Sequence, residues 1–313
     1  MSFSSETKKQ ISQRISGSPC CQMAEFLALT KSDGTIGVSG GDGPYLKISS
    51  ENPAVAGTIY KLTKELFREP GRLLVCKNTR LKKNNRYEIR VPYLDDTRGV
   101  LVELGIMTPD GRWDDLSRSG FPDEALKKDC CKRSYLRGAF LGSGSVNNPE
   151  SGYHLEIVSG RLEHAEGLRR LLAHFEINAK ICRRKNQYVL YLKNAEQISE
   201  FLLNIGAHHA LLTFESERVR KGLYNDLNRT QNFDLANIDK SVAAAQKQLR
   251  AIARVEETIG LDSLTPALRE AAELRKANPY LSLEELAAKA DPPVGKSGMN
   301  HRMKKLRRLA EEG

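Results

Sequence analysis

The chain has 313 residues and a formal net charge of +10 at pH 7. No apolar run approaches the roughly 18 to 20 residues that a membrane span needs, and residues 1–17 lack the apolar centre of a signal peptide, so a cytoplasmic protein of two or three domains with no membrane contact is expected. The surplus of Lys and Arg favours a polyanionic partner, nucleic acid first, although charge alone does not identify one.

Residues 4–16 read as a short leading helix and 23–31 as a second. Strand-like runs follow at 35–38 and 45–49, around the turn sequence Gly40-Gly41-Asp42-Gly43. Val55, Ile59, Leu62 and Leu66 recur at helical spacing and predict a helix over 53–67. Runs at 73–76 and 86–91 read as strands about a polar turn at Asn84-Asn85, and 95–104 closes the unit as a helix. The order is αββαββα. Gly, Asp and Pro in residues 108–122 mark a linker. The order then recurs, with a helix at 134–141, a strand at 153–158, a helix at 163–175, strands at 179–182 and 187–192, and a helix at 195–204. An internal repeat is the economical explanation.

The repeat is densest at its leading helices. Cys20-Cys21 and Cys130-Cys131 each open a run that ends in Gly34 or Gly144. Ala24, Ala28 and Ser32 align with Ser134, Gly138 and Gly142. Small residues at i, i+4 and i+8 form one stripe on a helix, and two such stripes let two backbones approach closely. The halves should therefore meet along these helices. Asp33 aligns with Ser143, the one unlike pair. Cys76 and Cys182 also fall at similar places. We read the cysteines as small buried core residues inherited by duplication, since no C-x2-C or His spacing marks a metal site. The alternative is a metal or redox site bridging the two Cys pairs. Neither a cofactor nor a bound metal is expected.

After Gly206 the character changes. A helix at 211–227, a polar break at 228–237 and an Ala- and Gln-rich helix at 238–258 lead into short helices separated by Pro. Residues 266–277 read as a helix with Pro at its first turn. Ser282-Leu283-Glu284-Glu285 is a capping box for a helix at 283–289. Asp291-Pro292-Pro293 ends it, and Ser297 can cap a last helix at 298–311. On that helix Met299, Met303, Leu306 and Ala310 form an apolar stripe, with cations and polar groups elsewhere. This is what a helix-turn-helix recognition helix requires, although the turn is longer than usual. Asn300 suits adenine, and Lys or Arg suits guanine. Gly295-Lys296-Ser297 is not a P-loop, because Ala290 stands where the partner glycine should be. None of His154, His164, His174, His208, His209 and His301 has catalytic metal spacing, and His164 and His174 read as surface or partner contacts on an amphipathic helix.

The helices ending in Asp33-Gly34 and Ser143-Gly144 resemble the LAGLIDADG motif of homing endonucleases, over roughly residues 18–206. With the C-terminal helix-turn-helix, the whole chain resembles the WhiA family. The Pro292-to-Arg302 segment is especially similar, as are Asn228-Arg229, Asn232, Asp234, Asn237 and Lys240. The resemblance implies an α+β protein in which two pseudo-symmetric αββαββα repeats precede an all-α helix-turn-helix domain. It assigns residues 1–17 to an N-terminal helix, 18–206 to the LAGLIDADG-like domain, 207–237 to a helical linker and 238–313 to the helix-turn-helix domain. It further implies a DNA-binding transcription regulator of cell division, chromosome segregation or sporulation, in the cytoplasm and nucleoid-associated.

In active LAGLIDADG nucleases the penultimate acid of each motif binds Mg²⁺, so the resemblance makes Asp33 and Ser143 the degenerate nuclease positions. A hydroxyl cannot replace the lost carboxylate, and no catalytic residue is expected. Duplex DNA is the expected partner. On the helix-turn-helix side the expected contacts are Ser282, Lys296, Ser297, Asn300, His301, Arg302, Lys304 and Lys305, with Arg307 and Arg308 on phosphate. Two basic hairpins could add to them, through Lys77, Arg80, Lys82, Lys83 and Arg86 in the first repeat and Arg183, Arg184 and Lys185 in the second. Edge protection by charge is the bland reading of those hairpins. The alternatives are a residual Mg²⁺-dependent endonuclease, and a scaffold that docks another transcription factor or RNA polymerase. A monomer is expected.

Overall fold

Helix-forming and strand-forming runs alternate in the same order twice, and the backbone follows them. The computed structural model describes residues 2–39, 43–68, 71–77, 85–92, 95–113 and 121–312. The chain divides into two compact units, Met1–Lys221 and Gly222–Gly313. In the first unit, α1 (Phe3–Ile11) precedes α2 (Pro19–Asp33), β1 (Gly34–Ser39), β2 (Gly43–Ser50), α3 (Pro53–Phe67), β3 (Arg72–Lys77), β4 (Asn85–Pro92) and α4 (Asp95–Glu103). The second half repeats the series with α5 (Asp129–Ser143), β5 (Gly144–Val146), β6 (Leu155–Ser159), α6 (Leu162–His174), β7 (Lys180–Arg184), β8 (Gln187–Leu192) and α7 (Ala195–Asn204). Strand β5 is missing from the sequence expectation, because three residues are too few to show a period-two pattern. Residues 40–42 of the expected turn, the hairpin tip at 78–84 and residues 114–120 of the linker lie outside the described residues.

Each half forms one antiparallel four-stranded sheet, in the order β1-β2-β4-β3 and β5-β6-β8-β7. Leu46, Ile48, Ile89 and Val91 face inward from the first sheet, and Leu155, Ile157, Leu190 and Leu192 from the second. Alternation therefore leaves one face of each sheet uncovered by this core. Asn52 caps α3, its side-chain oxygen accepting from the Ala54 and Val55 amides at 2.9 and 3.4 Å, with Pro53 at the first helical position.

The stripe helices α2 and α5 pack side by side. A Cβ built on Gly138 would stand 2.4 Å from the Glu25 carbonyl oxygen and 2.8 Å from Ala28 Cβ. One on Gly142 would stand 2.7 Å from Ser32 Cβ. The two cysteine pairs meet at the N-terminal ends of these helices, and Gly142 lies beside Asp33 at the other. The helices are therefore parallel. Between them Arg137 pairs with Glu25, whose side chain is fully buried. Burial pushes the Glu25 carboxyl up, and the Arg137 guanidinium opposes the shift.

Two cysteine and histidine expectations need correction. Only Cys21 and Cys131 are buried; Cys20 is half-buried, and Cys76, Cys130 and Cys182 are exposed. Cys76 and Cys182 lie on the outer strands β3 and β7, away from the core. His164 is not a surface contact. Its Nε2 lies 2.9 Å from the Tyr135 hydroxyl and its Nδ1 3.1 Å from Ser159 Oγ, beside the Phe121 ring. His174 is exposed and meets Asp129 at 2.8 Å.

Helix α8 (His208–Thr258) runs without interruption, so the expected break at 228–237 does not occur. Asn, Asp and Thr there cost only tenths of a kcal/mol each in helix propensity, and residues 228–237 contain no Gly or Pro. In the second unit Ile252 of α8 packs with α9 (Pro266–Ala277), α10 (Leu283–Ala288) and α11 (Lys296–Glu312) around Leu268, Ala271, Leu286, Met299, Met303 and Leu306. The capping box is formed: the Glu285 amide donates to Ser282 Oγ at 3.2 Å, and the Ser282 amide to Glu285 Oε2 at 2.8 Å. Ser297 is not a cap. Helix α11 starts at Lys296, and the Met299 amide donates to the Gly295 carbonyl at 3.0 Å. The long turn is tied back by the Val294 amide, which donates to the Ala287 carbonyl at 3.1 Å. Among the described residues, no helix is long and apolar enough to cross a membrane.

Candidate nucleic-acid interface

Helix α11 has two faces because its buried residues recur at i, i+4, i+7 and i+11. Met299, Met303, Leu306 and Ala310 are buried. His301, Lys304, Lys305 and Arg308 are exposed and share a stripe at i, i+3, i+4 and i+7. Lys304 and Lys305 form no ion pair among the described residues. Arg307 is paired with Glu311 at 3.4 Å, Arg308 with Glu312 at 2.7 Å and Lys296 with Glu284 at 3.5 Å. All three pairs are exposed, so a phosphate can compete for these cations at small cost. Ser282 and Ser297 are exposed and Asn300 is half-buried.

Arg302 is placed differently from the sequence expectation. Its guanidinium turns inward and meets Glu270 Oε2 of α9 at 2.9 Å, with only 19% of the side chain exposed. Glu270 also accepts from the Asp291 amide at 2.6 Å. Arg302 thus ties α11 to α9 and to the start of the turn. Sequence reasoning missed this because Glu270 lies on another helix. It also missed Arg275, a buried side chain whose Nη1 donates to the Leu281 carbonyl at 2.6 Å and so fixes the connection into α10.

On the first sheet the register sets Lys47, Arg90 and Arg72 in one cross-strand row, opposite the core face. Three cations directly abreast repel one another, and a polyanion laid across them would relieve that repulsion. Glu88 offsets part of the charge, meeting Arg90 at 3.3 Å, and the Arg90 guanidinium lies 4.9 Å from the Tyr45 ring centroid. Arg86 and Arg184 fall on the corresponding open faces; Lys77 and Arg183 have the opposite parity. Lys185 sits in the β7–β8 turn with a positive φ of 57°. Arg80, Lys82 and Lys83 lie outside the described residues. The second sheet's equivalent row is Ser145, Glu156, Tyr191 and Lys180, with one cation. Lys47 and Arg72 carried no sequence signal, because their adjacency arises only from the pairing.

At the C-terminal ends of α2 and α5, Asp33 opens into a cavity of about 380 Å³ with Lys8, Ser49, Glu51, Asn52, Arg86 and Gly142. Solvent reaches Asp33, yet protein packed around its carboxyl pushes the pKa up to about 6; Lys8 and Arg86 pull the other way. Burial lowers Lys8 to about 8, and Asp33 opposes that shift. Arg86 Nη2 donates to Ser49 Oγ at 2.7 Å. These residues do not fit a catalytic Mg²⁺. The second motif offers Ser143 where a carboxylate is needed, and two cations already compensate the acids present.

Two parallel small-residue helices, two equivalent four-stranded sheets and a separate bundle with a cationic helix define a class. It is a tandem LAGLIDADG-like protein with a degenerate acidic centre and a C-terminal helix-turn-helix. Residues 19–107 match the WhiA N-terminal LAGLIDADG-like domain, residues 132–223 the WhiA LAGLIDADG-like domain, and residues 227–310 the WhiA C-terminal HTH domain. The chain belongs to the WhiA family. It is 46% identical over 315 residues to the probable cell division protein WhiA of Heliobacterium modesticaldum, covering 99% of this chain and 96% of that one. It is 44% identical over 312 residues to the protein of the same name from Desulforamulus reducens, covering 100% and 96%. The crystal structure of full-length DUF199/WhiA from Thermatoga maritima superposes with a TM-score of 0.61 at 28% identity, over 100% of this chain and 99% of that one.

Proposed function

We propose that this protein is a DNA-binding transcription regulator that reads duplex DNA with the exposed face of α11. The observation that carries this reading is the stripe of His301, Lys304, Lys305 and Arg308 on a helix whose opposite face is locked into a core. Lys296, Asn300 and Arg307 flank the stripe, Ser297 continues it one turn earlier and Ser282 adds a contact from the start of α10; Arg302 serves the bundle instead. The row of Lys47, Arg90 and Arg72, with Arg86, supplies weaker, sequence-independent phosphate contact. The protein works on the nucleoid as a monomer. Its place in cell division follows the name of its relatives, and chromosome segregation or sporulation are the neighbouring roles. It is not a nuclease, because Asp33 has lost its carboxylate partner.

The test is a duplex-DNA titration of the wild type against Lys304→Ala/Lys305→Ala, with Mg²⁺ present. Binding without strand cleavage in the wild type, and binding weakened at least about 10-fold in the variant, is expected from the loss of two phosphate contacts. Cleavage that disappears in Asp33→Asn would restore the endonuclease reading.

A second reading has its own observation. Leu73, Leu74 and Val75 on the outer strand β3 are exposed, at 48%, 38% and 52%. An apolar sheet edge suits a partner that adds a strand, such as a transcription factor or RNA polymerase docking on the LAGLIDADG-like unit. Partner binding retained in Lys304→Ala/Lys305→Ala and lost in Leu74→Lys would support it.

A further inference from the structure

Cys21 and Cys131 lie in the core, and their neighbours Cys20 and Cys130 carry the cluster to the surface. Cys20 and Cys21 occupy the first turn of α2, and Cys130 and Cys131 the first turn of α5. Because the two helices start together, the duplication brings four thiols to one point. All four Sγ atoms lie within 4.8 Å of one another, and Cys130 and Cys131 are 4.0 Å apart. Four thiolates around a zinc ion, with Zn–S of about 2.3 Å, stand about 3.8 Å from each other. A small inward movement closes the set. The sequence left a site bridging the two Cys pairs as the alternative to core packing; such a site needs only a matched pair from each half, not a C-x2-C within one segment.

We propose that these four cysteines bind one divalent, thiophilic metal ion, Zn²⁺, in a structural site that pins the two repeats together. Four soft sulfur donors in a compact tetrahedral set favour Zn²⁺ over hard cations. Loading exchanges four thiol protons for the ion, leaving a Zn(S-Cys)₄ centre of charge −2 and four protons in solution. No redox step is involved. The two helix N-termini aim their positive ends at that charge. Exposed Cys130 and half-buried Cys20 give the ion a way in, and Cys20 also borders an apolar cavity of about 420 Å³. The ion sits at the opposite end of α2 and α5 from Asp33, so it holds the scaffold and takes no part in nuclease chemistry.

The test uses the full chain, reduced and stripped of metal, titrated with Co²⁺ and then Zn²⁺. The expected result is intense thiolate-to-cobalt charge-transfer and tetrahedral d–d bands that saturate at one Co²⁺ per chain and vanish on adding one Zn²⁺. Cys20→Ser/Cys130→Ser should lose the bands while keeping its circular dichroism, since neither side chain is fully buried. Cys76→Ser/Cys182→Ser should keep them. Zn²⁺ should also shield four of the six thiols from alkylation. Absence of the bands in reduced wild type, their survival in Cys20→Ser/Cys130→Ser, or their loss in Cys76→Ser/Cys182→Ser would overturn the site.

Discussion

His164 shows how one side chain couples packing to pH. Burial, with Lys31 adding to it, depresses its pKa from 6.5 to about 4. Between those values the unfolded chain binds the extra proton, so this residue's contribution to stability falls as pH drops from 6.5 toward 4. The loss amounts to about 3 kcal/mol at most. In His164→Gln, the thermal midpoint should vary less over that interval. Asp33 has the opposite sign. Its pKa rises from 3.8 to about 6, so the native state holds the proton more tightly, and stability from this group falls as pH rises through that window. Asp33→Asn should therefore steepen the acid-side loss and raise stability at neutral pH; a flattened acid limb would show the sign to be wrong. Glycine contrasts are equally local. Gly138→Ala places a methyl against the Glu25 carbonyl oxygen and should cost about 1–3 kcal/mol in a urea titration. Gly57→Ala, in mid-helix with nothing within 4 Å, should gain about 0.4–1 kcal/mol.

Elements announced themselves where their signals were local. Pro53 and Pro266 mark the first residues of α3 and α9, and Ser282 with Glu285 marks the start of α10, because caps act within one turn. The stripes of α2 and α5 were legible because both partners carry them. What pairing creates was not legible: the row of Lys47, Arg90 and Arg72, and the turning of Arg302 toward Glu270; the meeting of the two Cys pairs was legible only as an alternative, because it follows from the packing of the stripe helices. The continuity of α8 was missed because unfavourable residues weaken a helix without ending it. Two ion pairs between elements give further tests. Arg137→Met leaves the Glu25 carboxyl buried without its partner and should cost about 3–5 kcal/mol, whereas Glu25→Leu/Arg137→Met should recover most of that. Arg302→Met should lower the stability of the helix-turn-helix bundle while leaving the salt dependence of DNA binding almost unchanged. If it instead abolished binding in a fully folded bundle, Arg302 would have to act on DNA directly.

At the scale of the whole molecule, the same duplication has been put to different uses at the two ends of one helix pair. At one end the matched cysteines converge. At the other the acidic pair has become Asp33 and Ser143, and cations have moved in. In our proposal the last helix, not the sheets, reads DNA. The most direct measurement is duplex-DNA affinity across a salt series for three full-length proteins: wild type, Lys304→Ala/Lys305→Ala on α11, and Lys47→Ala/Arg90→Ala on the first sheet. Each lost phosphate contact should reduce the slope of log K against log salt by about 1. The α11 variant should lose most of the affinity and all discrimination between duplex sequences, while the sheet variant should keep discrimination and lose only part of the slope. Full discrimination in the α11 variant, with binding lost in the sheet variant, would instead make the sheets the reader.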